Sequence, residues 1–188
     1  MVGAGPAGIM AALAAASRGA EVLLFDTNDM VGRKLLVTGN GRCNLSNLGA
    51  CAARYVCNDP AVVEAALTRL GPRQTLALLR QQGILTYATP DGWCYPLSNS
   101  AATVADALDA ALRLAGVALH LKTKISDLTP ARAGRDQTWQ LTVGGGPHAL
   151  VVDRVVVATG GKAYPALGSK GEMFAVLARL GHTIAPVR

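Results

Sequence analysis

Three glycines near the amino terminus, Gly3, Gly5 and Gly8 in the run "MVGAGPAGIM", constrain this chain more than any other feature. The spacing Gly-x-Gly-x-x-Gly serves a strand-to-helix turn. Its first glycine makes the bend, its second lets the backbone approach a pyrophosphate, and its third lets the helix pack closely on the strand. The helix then aims its free N–H groups and the positive end of its dipole at the phosphates. Pro6 suits the first helical turn, where its missing N–H is not needed. After a turn at residues 18–20, the apolar run "EVLLF" reads as a strand ending at Asp26, 18 residues beyond Gly8. A carboxylate there accepts hydrogen bonds from an adenosine ribose. Strand, glycine turn, helix and strand make a βαβ unit, which demands a parallel sheet with a right-handed crossover. Gly3, Ala4, Gly5, Pro6, Ala7, Gly8 and Asp26 thus form a candidate dinucleotide site, equally suited to FAD and NAD. Only Met1 and Val2 stand where the first strand is expected.

The remaining pattern is that of an α/β chain. Helices are expected in "NDPAVVEAALTRLG", capped by Asn58 or Asp59 and stopped at Gly71, in "PRQTLALLRQQG", and in "SNSAATVADALDAALRLAG", capped by Ser98 or Ser100 and stopped at Gly116. "ILTYATPDGWCYP" reads as two strands folded back around Pro90, Asp91 and Gly92. Between residues 117 and 153, the segments "VALHL", "KISDLT", "TWQLTV" and "HALVVD" suggest a small antiparallel meander, with "GGGP" as its last tight connection. "RVVVATGG" reads as a strand buried on both faces, "GEMFAVLARLG" as a helix and "HTIAPVR" as the start of a further strand.

A second loop narrows the choice of cofactor. "GRKLLVTGNGRCNLSN" joins the cations Arg33 and Lys34 to Gly39, Asn40, Gly41, Arg42, Cys43 and Asn44. Small residues there let backbone N–H groups reach an anion. Together with "GAGPAG", Asp26, "YPLSNSAATVADAL" and "VVATGGKAYPALGSKGEMFAVLARLGHTIAPVR", this loop resembles the BaiN/YhiN-like family of FAD-dependent oxidoreductases, also called the aminoacetone oxidase family. The resemblance runs the length of the chain. It implies a Rossmann-like FAD-binding domain of the glutathione reductase type, carrying the small antiparallel meander. It further implies that Gly3, Gly5, Ala7 and Gly8 face the pyrophosphate and Asp26 the ribose, while Ile125 offers its backbone to the adenine. Arg33, Lys34, Gly41, Arg42, Cys43 and Asn44 would lie along the flavin, and Thr159, Gly160 and Gly161 would make a second flavin contact. Family members carry a longer first strand, an inserted domain and a carboxy-terminal return to the FAD domain. The chain is therefore expected to be an incomplete, fragment-like FAD domain of marginal stability with a weak hold on flavin.

Composition limits the alternatives. No run of about 18 or more uncharged apolar residues is present, so no membrane partner is expected. The net charge of +6 is scattered, with few aromatics for base stacking, and no nucleic acid partner is expected. Cys43, Cys51, Cys57 and Cys94 form no C-x-x-C pair and no zinc pattern with His120, His148 or His182, which points to free thiols in a reducing, cytoplasmic setting without a metal. Cys43 reads first as a packing residue, since a redox dithiol needs a resolving partner. No general acid or base stands out. The expected activity is an FAD-dependent oxidoreductase acting on a small molecule, with NAD(P)H as a candidate electron donor. Competing readings are an NAD(P)-binding domain, a tRNA-modifying flavoprotein fragment and a non-catalytic nucleotide-binding remnant.

Overall fold

A computed structural model describes residues 1–132, 137–144, 148–168 and 170–186. The chain divides into two units, the first formed by Met1–Lys34 with Asp109–Arg188 and the second by Leu35–Leu108.

In the first unit, helix α1 (Pro6–Ala16) follows the glycine turn and strand β1 (Leu23–Phe25) follows α1. The strand missing from the sequence pattern is a single residue, Val2, which forms isolated parallel bridges to Phe25 on one side and Val157 on the other. Its main chain is fully engaged. Val2 N donates to Val156 O at 2.9 Å, and Val2 O accepts from Ala158 N at 2.7 Å. On the other side, Phe25 N donates to Met1 O at 3.0 Å and Gly3 N to Phe25 O at 2.8 Å. One residue thereby ties two neighbours into a parallel arrangement, which satisfies buried peptide groups that would otherwise be costly.

The run "VALHL", expected in the meander, lies elsewhere. Strand β5 (Ala118–His120) pairs in parallel with β1, with Leu24 opposite Leu119. Its sequence follows a helix as a crossover strand does, and parallel pairing with β1 satisfies its ladder. The meander is three strands, β6 (Ile125–Arg132), β7 (Thr138–Val143) and β8 (Ala149–Val152), all antiparallel in the order β6-β7-β8. The expected "GGGP" connection, residues 144–147, falls mostly outside the described residues; Gly144 itself adopts φ +68°.

The run "RVVVATGG" does not form the expected strand buried on both faces. Only Val157 bridges to a neighbour, and Val156 is 41% exposed. A parallel ladder needs a partner on each side, and Val2 offers one residue before the glycine turn begins. Residues 182–186 likewise carry no strand. Helix α5 (Met173–Arg179) forms as read, and His182 N closes its end by donating to Leu177 O at 3.0 Å.

The core of this unit joins the parallel strands to the meander. Val2, Phe25, Ile125, Leu128, Leu141, Met173 and Val176 form one buried cluster, with Trp139, Leu150 and Val155 packed against it. Alternation in β6 and β7 turns Leu128 and Leu141 inward, both 2% exposed. Two exposed ion pairs link α5 and the residue before it to the β6 region, Lys124 with Glu172 at 3.0 Å and Arg179 with Asp127. Pairs of this exposure contribute about 0–1 kcal/mol each, so the apolar cluster carries the packing.

In the second unit, β3 (Thr86–Ala88) and β4 (Trp93–Pro96) fold back as read, and the short β2 (Ser46–Asn47) pairs with the far edge of β4. Helices α2 (Pro60–Arg69) and α3 (Pro72–Gln81) form where their caps predict. Asp59 accepts from Ala61 N at 3.1 Å, and Gly71, directly after the Leu70 C-cap of α2, also serves as the N-cap of α3. None of the α2 side chains is buried. Helix α4 (Ala101–Leu114) opens with Ser100 Oγ accepting from Thr103 N at 3.4 Å.

Leu128→Ala should destabilise the first unit by about 2–5 kcal/mol, because a side chain this buried leaves a cavity on truncation. Chemical denaturation followed by circular dichroism measures the loss.

Candidate functional site

The three glycines of the turn answer to different constraints. Gly3 sits at φ +101°, and a Cβ there would stand 2.5 Å from Ala158 O, so both backbone and space demand glycine. A Cβ on Gly8 would run into Gly3 O and stand 3.3 Å from the Ala158 Cβ, so α1 lies directly on the turn. Gly5 differs. A Cβ at Gly5 would meet no protein atom within 4 Å. Its place is held by neither packing nor strain, and it borders a pocket of about 550 Å³. That volume falls within the roughly 300–1,000 Å³ typical of small-ligand and cofactor pockets.

The turn, from Val2 to Ala7, lines this pocket together with Asp26, Thr159 and Gly160. Two stretches more than 150 residues apart in sequence thus face one cavity. They converge because Val2 holds residues 156–158 beside β1. Both loops then leave the same end of the parallel strands, where ligands of open α/β sheets bind.

Asp26 does more than end a strand. Its Oδ2 accepts from Ala4 N at 2.6 Å, and its Oδ1 accepts from both Asn28 N and Asn28 Nδ2 at 2.8 Å. The carboxylate therefore locks the glycine turn to β1 while bordering the pocket.

Of the residues singled out in the sequence, Gly3, Ala4, Gly5, Pro6, Ala7, Asp26, Arg33, Lys34, Ile125, Thr159 and Gly160 line this one cavity. Gly8 lies beneath the turn as a packing residue, and Gly161 stands outside the lining, its Cβ position 3.9 Å from Phe174 Cζ. Gly41, Arg42, Cys43 and Asn44 belong to the second unit. There the Arg42 guanidinium stacks 4.5 Å from the Tyr95 ring centroid. Asn44 Oδ1 is buried without a hydrogen-bond partner among the described residues. Cys43 is fully buried at φ +61°. Burial pushes its thiol pKa up, opposed in part by a hydrogen bond with Thr38, and burial raises that of Cys94 as well. With pKa values raised by burial, both thiols are protonated at neutral pH.

Lys124, Asn28, Glu172 and Phe174 also border the cavity and were missed in the sequence. The signals were present but faint. Lys124 precedes the selected Ile125, and Glu172 and Phe174 fall in a run read only as a helix. Arg33 pairs with Asp29 at 3.3 Å and Lys124 with Glu172 at 3.0 Å, all substantially exposed, so either cation is released to an incoming anion at little cost.

The cavity suits an adenine dinucleotide. Gly5 leaves the open cradle that a pyrophosphate requires, cations stand at its border, and a carboxylate stands at the end of β1. No group of three or more metal-ligating side chains occurs among the described residues. No described helix is long and apolar enough to cross a membrane.

A model of the HI0933-like protein Rossmann domain matches residues 1–187. The chain is 35% identical over 189 residues to a 3-dehydro-bile acid delta(4,6)-reductase of Clostridium scindens, covering 100% of this chain and 44% of that protein. It is 27% identical over 188 residues to a ribosomal RNA dihydrouridine synthase of Haemophilus influenzae, covering 100% and 46%. The chain thus spans about half the length of the curated relatives it matches. Among solved structures, a flavocytochrome c3 fumarate reductase in its open conformation matches with a TM-score of 0.63 at 20% identity, covering 97% of this chain and 40% of that one. The fold is the Rossmann-like fold of FAD-binding proteins, mixing a parallel sheet with antiparallel strands.

Two outcomes follow from this geometry. Gly8→Ala should destabilise the fold severely, whereas Gly5→Ala should leave the melting temperature nearly unchanged, because only the former drives a Cβ into backbone; paired thermal melts compare them. In the native state at pH 7, Cys51 and Cys57, which are exposed, should react with a thiol reagent while Cys43 and Cys94 stay protected. The protection follows from their burial, which also raises their pKa values. The associated stability is complete below the unfolded thiol pKa of about 8.5 and declines as pH rises toward the folded value.

Proposed function

Because the chain belongs to the HI0933-like Rossmann family, we propose that it is the FAD-binding domain of an oxidoreductase whose substrate is a small molecule. The observation that carries this reading is the convergence of the glycine turn and the Thr159-Gly160 loop on one cavity, with Gly5 leaving its cradle open. Gly3, Ala4, Gly5, Pro6 and Ala7 would hold the pyrophosphate at the start of α1, where the helix dipole favours negative charge. Asp26 would receive the ribose and the Ile125 backbone the adenine. Thr159, Gly160 and Gly161 would meet the flavin, and Arg33 and Lys34 would offset anionic charge. The assignment of Gly41, Arg42, Cys43 and Asn44 to the flavin is supported by the motif "GRKLLVTGNGRCNLSN" alone.

When bound, FAD supplies the electron transfer chemistry, and the protein supplies binding, orientation and electrostatics. NAD(P)H is the electron donor we favour, in a cytoplasmic setting consistent with four free cysteines. The relative 35% identical to this chain is named a reductase of a bile acid, which supports a small-molecule substrate. A ribosomal RNA substrate is the second reading, favoured by the net charge of +6 and by the relative named as a dihydrouridine synthase. The scattered distribution of that charge favours the first.

FAD titrated into the purified chain should bind, read as a change in flavin fluorescence, and Gly5→Ala should lose that binding while remaining folded. A chain that keeps no flavin and binds NAD instead overturns the reading. Filter binding to ribosomal RNA should show no strongly salt-dependent affinity; a steep slope would move the assignment to the RNA reading.

A further inference from the structure

The hydrogen bonds around Asp26 restrict what its carboxylate can still accept. A carboxylate has about four acceptor positions, two on each oxygen. Both positions on Oδ1 are filled from one residue, by the main-chain N–H and the side-chain Nδ2 of Asn28, each at 2.8 Å. One position on Oδ2 is filled by Ala4 N at 2.6 Å. A single acceptor position on Oδ2 remains for a ligand.

Asn28 is held firmly in this role. Its carbonyl accepts from Lys122 N at 2.8 Å, and the neighbouring Asp26 carbonyl accepts from Thr123 N at 2.8 Å. Behind the amide stands Gly168, at φ +98°, whose Cβ position lies 3.3 Å from Asn28 Nδ2. A larger residue at Gly168 would press on the amide. Asp26, Asn28 and Gly168 all border the same cavity.

We infer that Asn28 is a positioning and specificity-determining residue which, by saturating Asp26 Oδ1, makes the carboxylate read one hydroxyl of a bound ribose rather than two. The inference rests on the proposed adenine-dinucleotide reading of the cavity. An unencumbered carboxylate at the end of such a strand has acceptor positions for both the 2′ and 3′ hydroxyls. Here the ladder of donors from residue 28 removes one oxygen from play. In this proposal Asn28 acts through Asp26, to which both its donors are given.

Isothermal titration of the full chain with ADP, 2′-deoxy-ADP and 3′-deoxy-ADP tests this directly. In the wild-type chain, one deoxy analogue should bind within about twofold of ADP and the other roughly tenfold more weakly, the loss of one hydrogen bond to a charged group. Asn28→Ala keeps the main-chain donor and frees one position on Oδ1, so in that variant both deoxy analogues should bind more weakly than ADP. A merely structural role for Asn28 would scale all three affinities alike. Loss of affinity for both deoxy analogues in the wild type, or for neither, overturns the inference while leaving nucleotide binding intact. Failure of ADP itself to bind overturns it together with the nucleotide reading. The wild-type series decides the point even where Asn28→Ala proves unstable.

Discussion

The first unit is organised around the main chain of one residue. Val2 exchanges hydrogen bonds with Val156 and Ala158 on one side, while its neighbours Met1 and Gly3 pair with Phe25 on the other. Without these bonds, nothing in the parallel arrangement brings the glycine turn and the Thr159-Gly160 loop to one place. The side chain reinforces the main chain, since Val2 is also part of the buried cluster that reaches Leu128, Leu141 and Met173. Apolar burial is non-directional and fixes only that these residues meet. The direction comes from the hydrogen bonds, and the binding geometry follows from the direction.

The turn shows how a short motif distributes its constraints. Gly3 and Gly8 answer to the protein, since any side chain there would strike backbone. Gly5 answers to nothing in the protein at all. A position kept free of side chain without internal cause, at the border of a cavity with cations and an acid around it, has its reason in whatever occupies the cavity. Asp26 stands between the two cases, because it holds Ala4 in place with one oxygen and borders the cavity with the same group.

Much of this was legible in the sequence, and the failures share a cause. The helices were visible because their apolar spacing and caps are local, as Asp59 and Ser100 show. The turn was visible through its glycine spacing, Asp26 through its place at the end of the following strand, and the Thr159-Gly160 loop through the family resemblance. The misread segments were those whose state depends on a partner. "VALHL" has the composition of any strand, and only its pairing with β1 separates it from the meander. "RVVVATGG" looks like a buried strand, yet a ladder extends only as far as its neighbour, and here that neighbour is one residue. Asn28 was invisible for a related reason. Two donors on one oxygen are a feature of three-dimensional placement, whereas in the sequence it is an asparagine in a polar turn.

Helix α2 offers a contrast with everything built around Val2. It is held by an aspartate cap and a proline in its first turn, and no side chain along it is buried. Substitutions at such positions usually change stability by less than about 0.5 kcal/mol. Selection for folding therefore has little grip on this helix. It is a stretch whose surface can be rewritten without disturbing the fold beneath.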